Sequence, residues 1–326
     1  MNRLPLEQIG FYTLSDNRCK TASSTTKLMR CELVLSDACN FKCPYCRGQR
    51  KELRKHMTLA EAMNVIDLWT DEGLENVRFS GGEPTVWKGI LELVQYTKSK
   101  GVSRIALSTN GSASWELYQQ LIDAGVNDFS VSLDACCSAY GDKMAGVSGA
   151  WEVVVENIRK LTQQSYTTVG IVVTDETVHD LKNIVEYAAS LGVNDIRIIS
   201  AAQYNKILDV AQTISPEIYE KYPILKYRIN NTMNGVNVRG IDDTDSKKCW
   251  IALDDMAVAG DYHYPCIIYL REQGNPIGKV GVNMRKEREE WVKNHNTHED
   301  PICKKNCLEC IVQYNRDYRD YHNAEK

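Results

Sequence analysis

Asn76-Val77-Arg78-Phe79-Ser80-Gly81-Gly82-Glu83-Pro84 changes character halfway along. Its first half is a short strand-forming run, and its Gly-Gly and Pro stop that run and start a turn. A helical pattern follows, and then another short β-branched run. The same unit recurs from Leu28 to about Ser200. It places strands at Glu32–Leu35, Asn76–Phe79, Arg104–Ser108, Asp128–Leu133, Val169–Thr174 and Asp195–Ile199. Between the first two, Thr58 and Glu61 have the spacing of a capping box. Leu59, Met63, Ile66 and then Trp69 or Thr70 follow at helical intervals. Gly73, Gly101, Gly125 and Gly192 each stand where a helix must stop before a strand. Six strands alternating with helices define an α/β fold with a parallel sheet, wound as an open barrel or a doubly wound sheet.

In either arrangement ligands bind beyond the carboxyl ends of the strands. The unusual residues fall there. Cys39–Cys46 follows the first strand, Gly81–Pro84 the second, Thr109-Asn110-Gly111 the third and Asp134 the fourth. All four loops are therefore expected on one face.

The 326 residues leave room for one large domain and a smaller one. The expected division is an N-terminal extension over 1–28, a partial barrel over 29–212, and a linker helix with a cysteine-rich region over 213–326. Ser215-Pro216 reads as a helix start, with a break near Pro223. Beyond Gly240 the chain reads as loop-rich. A net charge of −4 does not favour duplex nucleic-acid binding. No apolar run approaches the roughly 18 residues of a membrane span. Met1–Gly10 carries Arg3 and Glu7 and lacks a signal-peptide core, so a cytoplasmic location is expected.

In that compartment twelve cysteines are not held as disulfides, and clustered ones point to metal ligation. Cys39-Asn40-Phe41-Lys42-Cys43-Pro44-Tyr45-Cys46 sets three thiols on one loop. A cubane iron–sulfur cluster takes four thiolates, so three leave one iron open, as a catalytic metal requires. Zinc with a distant fourth ligand is the alternative on spacing alone. Cys19, Cys31, Cys136 and Cys137 are scattered and read as small buried hydrophobes.

Cys-x3-Cys-x2-Cys with an aromatic residue, Tyr45, before the last cysteine resembles the signature of the radical SAM superfamily. Gly81-Gly82-Glu83-Pro84 resembles that family's second-strand motif, and Ser108–Gly111 and Ser132-Leu133-Asp134 its third- and fourth-strand motifs. Lys143–Val147, leading into Val153–Leu161, resembles the segment after the fourth strand. The set covers residues 29–200 in order. The resemblance implies a partial (β/α)6 barrel in which Cys39, Cys43 and Cys46 hold a [4Fe-4S] cluster. It implies that the open iron binds S-adenosylmethionine (SAM), and that an electron from the cluster yields a 5′-deoxyadenosyl radical that abstracts a substrate hydrogen. It gives Gly81, Gly82 and Glu83 the methionine amino group, with Glu83 pairing to the ammonium. Tyr45, Asn110, Ser132 and Asp134 become further cofactor residues. Ser132 and Asp134 read equally well as caps of the next helix, and Asn110 as a turn residue. Arg78 reads as a substrate contact or a solvated charge. A donor such as flavodoxin or ferredoxin is implied as partner.

Cys249-x16-Cys266-x36-Cys303-x3-Cys307-x2-Cys310 lies outside the barrel pattern and resembles the SPASM and Twitch auxiliary-cluster extensions. One auxiliary cluster is expected, on Cys249, Cys266, Cys307 and Cys310 with Cys303 as competitor; a four-cysteine zinc site is the alternative. His263 and His298 read as surface residues, Arg285–Val292 as a solvated helix, and Tyr314–Arg319 as a docked polar helix.

The expected reaction modifies a peptide or protein side chain with help from the auxiliary cluster, because auxiliary-cluster members often mature peptides, and it needs a separate recognition partner. The alternative is oxidation or rearrangement of a small molecule such as a cofactor, nucleotide or sugar precursor. Among small-molecule enzymes of this family, the molybdopterin-precursor cyclase itself is not expected. Glu32 stands where that enzyme's first-strand arginine is expected, Thr168 or Val169 where its fifth-strand basic residue is expected, and Ala324-Glu325-Lys326 in place of its Gly-Gly tail. A non-catalytic metal scaffold is the third reading.

Overall fold

The computed structural model describes residues 17–47, 56–201 and 213–323. Strands β1 (Arg30–Val34), β2 (Asn76–Ser80), β3 (Arg104–Thr109), β4 (Asp128–Ser132), β5 (Tyr166–Val173) and β6 (Asp195–Ser200) match the six expected ones to within a few residues. They are parallel neighbours in chain order. Three further strands, β7 (Asp255–Ala259), β8 (Tyr262–Tyr264) and β9 (Gly278–Lys279), extend the sheet beyond β1. The β7 strand is parallel to β1 in register Arg30↔Asp255 to Val34↔Ala259, and β8 and β9 return antiparallel. The loop-rich expectation beyond Gly240 is thus corrected. The C-terminal segment supplies a seventh parallel strand, so the six-strand sheet and the cysteine-rich region share one continuous sheet.

The helices are α1 (Asn17–Thr21), α2 (Leu59–Thr70), α3 (Ile90–Ser99), α4 (Trp115–Ala124), α5 (Ser138–Ala145), α6 (Ala150–Gln164) and α7 (Leu181–Ser190). They continue with α8 (Pro216–Tyr219), α9 (Pro223–Met233), α10 (Ile267–Arg271), α11 (Met284–Asn294), α12 (Pro301–Asn306) and α13 (Glu309–His322). The capping box at α2 forms: Glu61 N donates to Thr58 Oγ1 at 3.2 Å and Thr58 N to Glu61 Oε2 at 2.7 Å. Such a cap contributes about 1 kcal/mol. Pro216 and Pro223 each open a helix, as their fixed φ and missing N–H allow.

Strand side chains alternate in a way that fixes the site. Leu33, Phe79, Leu107, Val131, Ile171 and Ile198 are buried in the main apolar core with α2, α3, α6 and α7. The other face carries Glu32, Arg78, Ser108, Ser130 and Arg197, all of which line one cavity. A period of two therefore separates an apolar outer face from a polar inner face.

The scattered cysteines divide. Cys19 and Cys31 are buried as expected, but Cys136 is half-buried and Cys137 is exposed at the start of α5. The N-terminal extension is tied down within its described part: Arg18 reaches Asp254 at 3.0 Å, and Cys19 and Ala22 pack with Tyr314 and Tyr318 of α13. Met1–Asp16 and Ala324-Glu325-Lys326 lie outside the described residues. The solvated-helix reading of α11 is corrected too. Arg288 is buried and donates to the carbonyls of Ala252 (2.7 Å) and Tyr264 (2.9 Å). It staples the helix to the β7–β8 region.

Candidate active site

The loop after β1 is carried by the loop after β2. Leu35 N donates to Ser80 O at 3.0 Å, Gly82 N to Ser36 O at 2.8 Å and Glu83 N to Ala38 O at 2.8 Å. A Cβ on Gly82 would lie 2.2 Å from Ala38 O, and one on Gly81 2.5 Å from Ser36 O. Both distances are shorter than any real contact, so glycine here is demanded by the chain leading into Cys39. Cys39, Cys43 and Cys46 all line the cavity, Cys39 exposed and the other two half-buried. Lys42 N donates to Ala145 O at 2.8 Å, which ties the loop to the end of α5.

Glu83 is held from within the protein. It is 1% exposed, and its carboxylate faces the protein. Oε1 accepts from Thr85 N (3.0 Å), Thr85 Oγ1 (2.7 Å) and Thr109 Oγ1 (2.8 Å), and Oε2 accepts from Asn110 N (2.6 Å). Burial raises its pKa against those hydrogen bonds. Glu83 thus ties the second loop to the third. Asn110 makes the turn expected of it, its Oδ1 accepting from Ser112 N at 3.0 Å. It also faces the cysteine loop, with Nδ2 2.9 Å from Asn40 Oδ1 and 4.0 Å from Cys39 Sγ.

Tyr45 donates its hydroxyl to the Asp134 carboxylate, whose Oδ1 accepts from Val172 N at 2.6 Å. The aromatic residue before Cys46 therefore anchors the loop to the ends of β4 and β5. Desolvation raises Asp134 to about 6, against the hydrogen bonds from Tyr45 and Val172 that lower it. Ser132 is exposed at the end of β4 on the same cavity wall. Cys137, not Ser132 or Asp134, occupies the N-cap of α5.

The cavity measures about 420 Å³ and runs from the cysteine loop to the inner face of the sheet, closed on its far side by Ile267, Ile268, Leu308 and Ile311. Sequence reasoning left out the arginines on its wall. Arg30 bridges Asp255 (2.7 Å) and Glu32 (2.9 Å), and Arg271 reaches Glu32 at 3.5 Å. Arg78, left undecided, lines the cavity, donating to Ser108 Oγ at 3.1 Å and reaching Asp128 at 3.3 Å. The signal available in the sequence was the polar residue at every second strand position.

The second thiol set is sorted by the structure. Cys249, Cys266, Cys303 and Cys307 line a small, mostly apolar cavity of about 20 Å³. Cys310 lies in the wall of the large cavity, as does Arg228, and the two interact electrostatically. Cys266 borders both cavities, and Cys303 shares the small one with Cys249, Cys266 and Cys307. Burial raises Cys249 to about 11 and Cys266 to about 12, so these thiols need a metal's charge to ionise. Tetrahedral zinc sets its sulfurs about 3.8 Å apart. Among the described residues, the one group of three potential ligands with donor atoms all within 4.8 Å of one another is His295, Asp300 and Cys303. Neither thiol set, among the described residues, is drawn together as tightly as one zinc ion requires, and an all-thiolate donor set is the one an iron–sulfur cluster takes. His263 is buried rather than superficial, 2.9 Å from Glu287 Oε2, and burial and Arg288 push its pKa down to about 3. His298 is half-buried, 3.2 Å from Asp245 O.

A parallel α/β sheet with a three-thiol loop at its carboxyl edge defines a class of metal-dependent α/β enzyme. Residues 33–188, the stretch that carries the three-cysteine loop, match the radical SAM superfamily. The family implies a [4Fe-4S] cluster and SAM. Curated relatives include the probable GTP 3′,8-cyclase of Sulfurisphaera tokodaii, 23% identical over 61% of this chain and 69% of the relative. The probable GTP 3′,8-cyclase of Methanococcus maripaludis is 30% identical over 49% of this chain and 55% of its own length. The chain thus spans little more than half of that relative and 54% of the one from Metallosphaera sedula. Among solved structures, Streptococcus suis SuiB bound to S-adenosylmethionine superposes with a TM-score of 0.59 at 14% identity, over 85% of this chain and 67% of that one. For anSMEcpe with bound AdoMet the TM-score is 0.58 at 15% identity, over 91% and 93%. These two likenesses concern the fold. Among the described residues no helix is long and apolar enough to cross a membrane.

Proposed function

We propose that this radical SAM enzyme acts on a small molecule held in the cavity behind Cys39, Cys43 and Cys46. The cluster and SAM supply, when bound, the electron and the 5′-deoxyadenosyl radical that removes a substrate hydrogen. The three cysteines hold the cluster. Gly81 and Gly82 bring backbone close to it, and Asn110, Ser132 and Asp134 border the cofactor. Tyr45 fixes the loop through Asp134, and Glu83 acts by holding the second and third loops together. In this reading 29–212 is the radical-generating part, and 213–326 closes the cavity and carries one auxiliary cluster. Cluster thiols that must stay reduced favour the cytoplasm, with a flavodoxin or ferredoxin as donor.

The observation that carries the small-molecule reading is the polar wall beyond the cofactor residues, where Arg78, Arg197, Ser108 and Ser130 line the inner end of the cavity and suit a charged metabolite. The relatives named as GTP cyclases point the same way. The peptide reading draws on SuiB bound to its precursor peptide SuiA, which superposes over 93% of this chain with a TM-score of 0.58 at 15% identity. It would need a separate recognition partner.

The test is anaerobic reconstitution with iron and sulfide, then dithionite and SAM. Formation of 5′-deoxyadenosine is expected, and Cys43→Ala should abolish it. A cell extract split by ultrafiltration separates the substrate classes. Faster product formation with the low-mass filtrate supports a small molecule, and faster formation only with the retained fraction supports a peptide or protein.

A further inference from the structure

Seven arginines and three carboxylates line the cavity, and three of the arginines, Arg30, Arg78 and Arg197, stand on strands of the sheet. Arg47 and Arg228 are paired with Glu272 and Glu309. Arg30, Arg78 and Arg271 each have a carboxylate within 3.5 Å. Arg197, on β6, is placed differently. Its Nη2 donates to Ser130 Oγ at 3.2 Å, and its Nε has no hydrogen-bond partner among the described residues. The guanidinium crosses Gly170 of β5, where an added Cβ would stand 3.4 Å from Nη2. Burial, and then Arg78, Arg228 and Arg271, push its pKa down to about 10, so it stays charged at neutral pH. A desolvated cation among others of its sign costs free energy until an anion joins it.

The geometry pairs two of these groups. Arg78 donates to Ser108 and Arg197 to Ser130, and Ser108 and Ser130 are directly opposite each other on β3 and β4. Adjacent strands lie roughly 5 Å apart, so the two guanidiniums can grip one carboxylate or phosphate between them. Ser130 precedes Ser132 by two residues, and Arg197 precedes Ile199 by two, which sets this pair about 7 Å deeper than the strand ends that border the cofactor. We infer that Arg197 and Arg78, with Arg271 beside them, form an anion site that holds a carboxylate or phosphate of the substrate beneath the three-cysteine loop. The inference rests on the small-molecule reading and names the chemistry of its ligand.

The experiment titrates anaerobically reconstituted protein with inorganic pyrophosphate, with succinate and with SAM. The first two separate a phosphate from a carboxylate source, and the third reports on the cofactor's own carboxylate. Pyrophosphate or succinate should bind, Arg197→Gln should weaken that binding at least tenfold, and Arg197→Lys should recover part of it. Arg159→Gln, an exposed arginine on α6, should match the wild type. If Arg197→Gln folds poorly, the Arg197→Lys titration decides, because unchanged Gln-like loss with retained charge overturns the site. Absence of binding to the wild type also overturns it, as does a variant that weakens SAM and leaves the anions untouched. Failure to form 5′-deoxyadenosine would sink the enzymatic reading and leave these titrations standing, so the two failures are distinguishable.

Discussion

Gly82 shows how much one missing side chain can decide. Its Cβ would meet two backbone carbonyls, Ala38 O at 2.2 Å and Asp37 O at 2.6 Å, and neither can swing away as a flexible side chain would. Gly82→Ala must therefore push the chain leading to Cys39 outward. Much of the global stability lies elsewhere, in the outer core, so the melting temperature should fall by only a few degrees. Iron content at the three-cysteine loop and 5′-deoxyadenosine formation should drop at least tenfold. Full iron loading with full activity would show that the loop does not depend on this contact. The motif residues were legible because glycine, proline and clustered cysteine announce themselves. Their contacts were less so: that Glu83 ties two loops together shows only in its hydrogen bonds to Thr85, Thr109 and Asn110. Arg197 was invisible as a site residue because a charge in an alternating strand normally means a solvent face. In a curved sheet that face is the inside of the cavity.

At the scale of elements, six strands were legible and β7 was not. Asp255-Met256-Ala257-Val258-Ala259 has one β-branched residue and is buried on both faces, so it shows neither strand composition nor alternation. The strand is nonetheless held by charge as well as by its ladder. Arg30 of β1 reaches Asp255 at 2.7 Å, and Arg18 of α1 reaches the preceding Asp254 at 3.0 Å. Tyr314 of α13 stands 3.4 Å from the other Asp254 oxygen. Desolvation, reinforced by Asp255, raises Asp254 to about 6 against Arg18 and Tyr314, compared with about 3.9 in an unfolded chain. The folded state then binds this proton more tightly than the unfolded state. Its contribution to stability is complete below about pH 3.9 and is lost as pH rises through about 6, on the order of 3 kcal/mol in all. Asp254→Asn should make the decline of melting temperature between pH 4.5 and 7 shallower than in the wild type. Asp255, raised in the same direction, keeps some slope in both proteins. Parallel profiles would show that Asp254 does not titrate in this range.

The whole molecule sets two thiol groups against one cavity, and their division is the feature that sequence spacing was least able to give. Cys303, Cys307 and Cys310 differ by three and four residues, so any two can share a side of the chain. What separates them is a change of element. Cys303 lies in α12, Cys307 caps its end, and Cys310 begins the first turn of α13. The reversal between the helices sets Cys303 and Cys307 on the small pocket with Cys249 and Cys266, and Cys310 on the arginine-lined cavity, which Cys266 also borders. If each thiol set holds one four-iron cluster, reconstituted protein carries about eight irons per chain. Cys303→Ala should lower this to about four while the three-cysteine loop still supports 5′-deoxyadenosine formation. Cys310→Ala should keep about eight, since its thiol faces Arg228. Iron and sulfide analysis of the two variants, purified without oxygen, reads the difference directly. Loss of four irons from Cys310→Ala with none from Cys303→Ala would return the second cluster to Cys249, Cys266, Cys307 and Cys310. It would also mean that α13 turns its first residues toward the small pocket when metal binds.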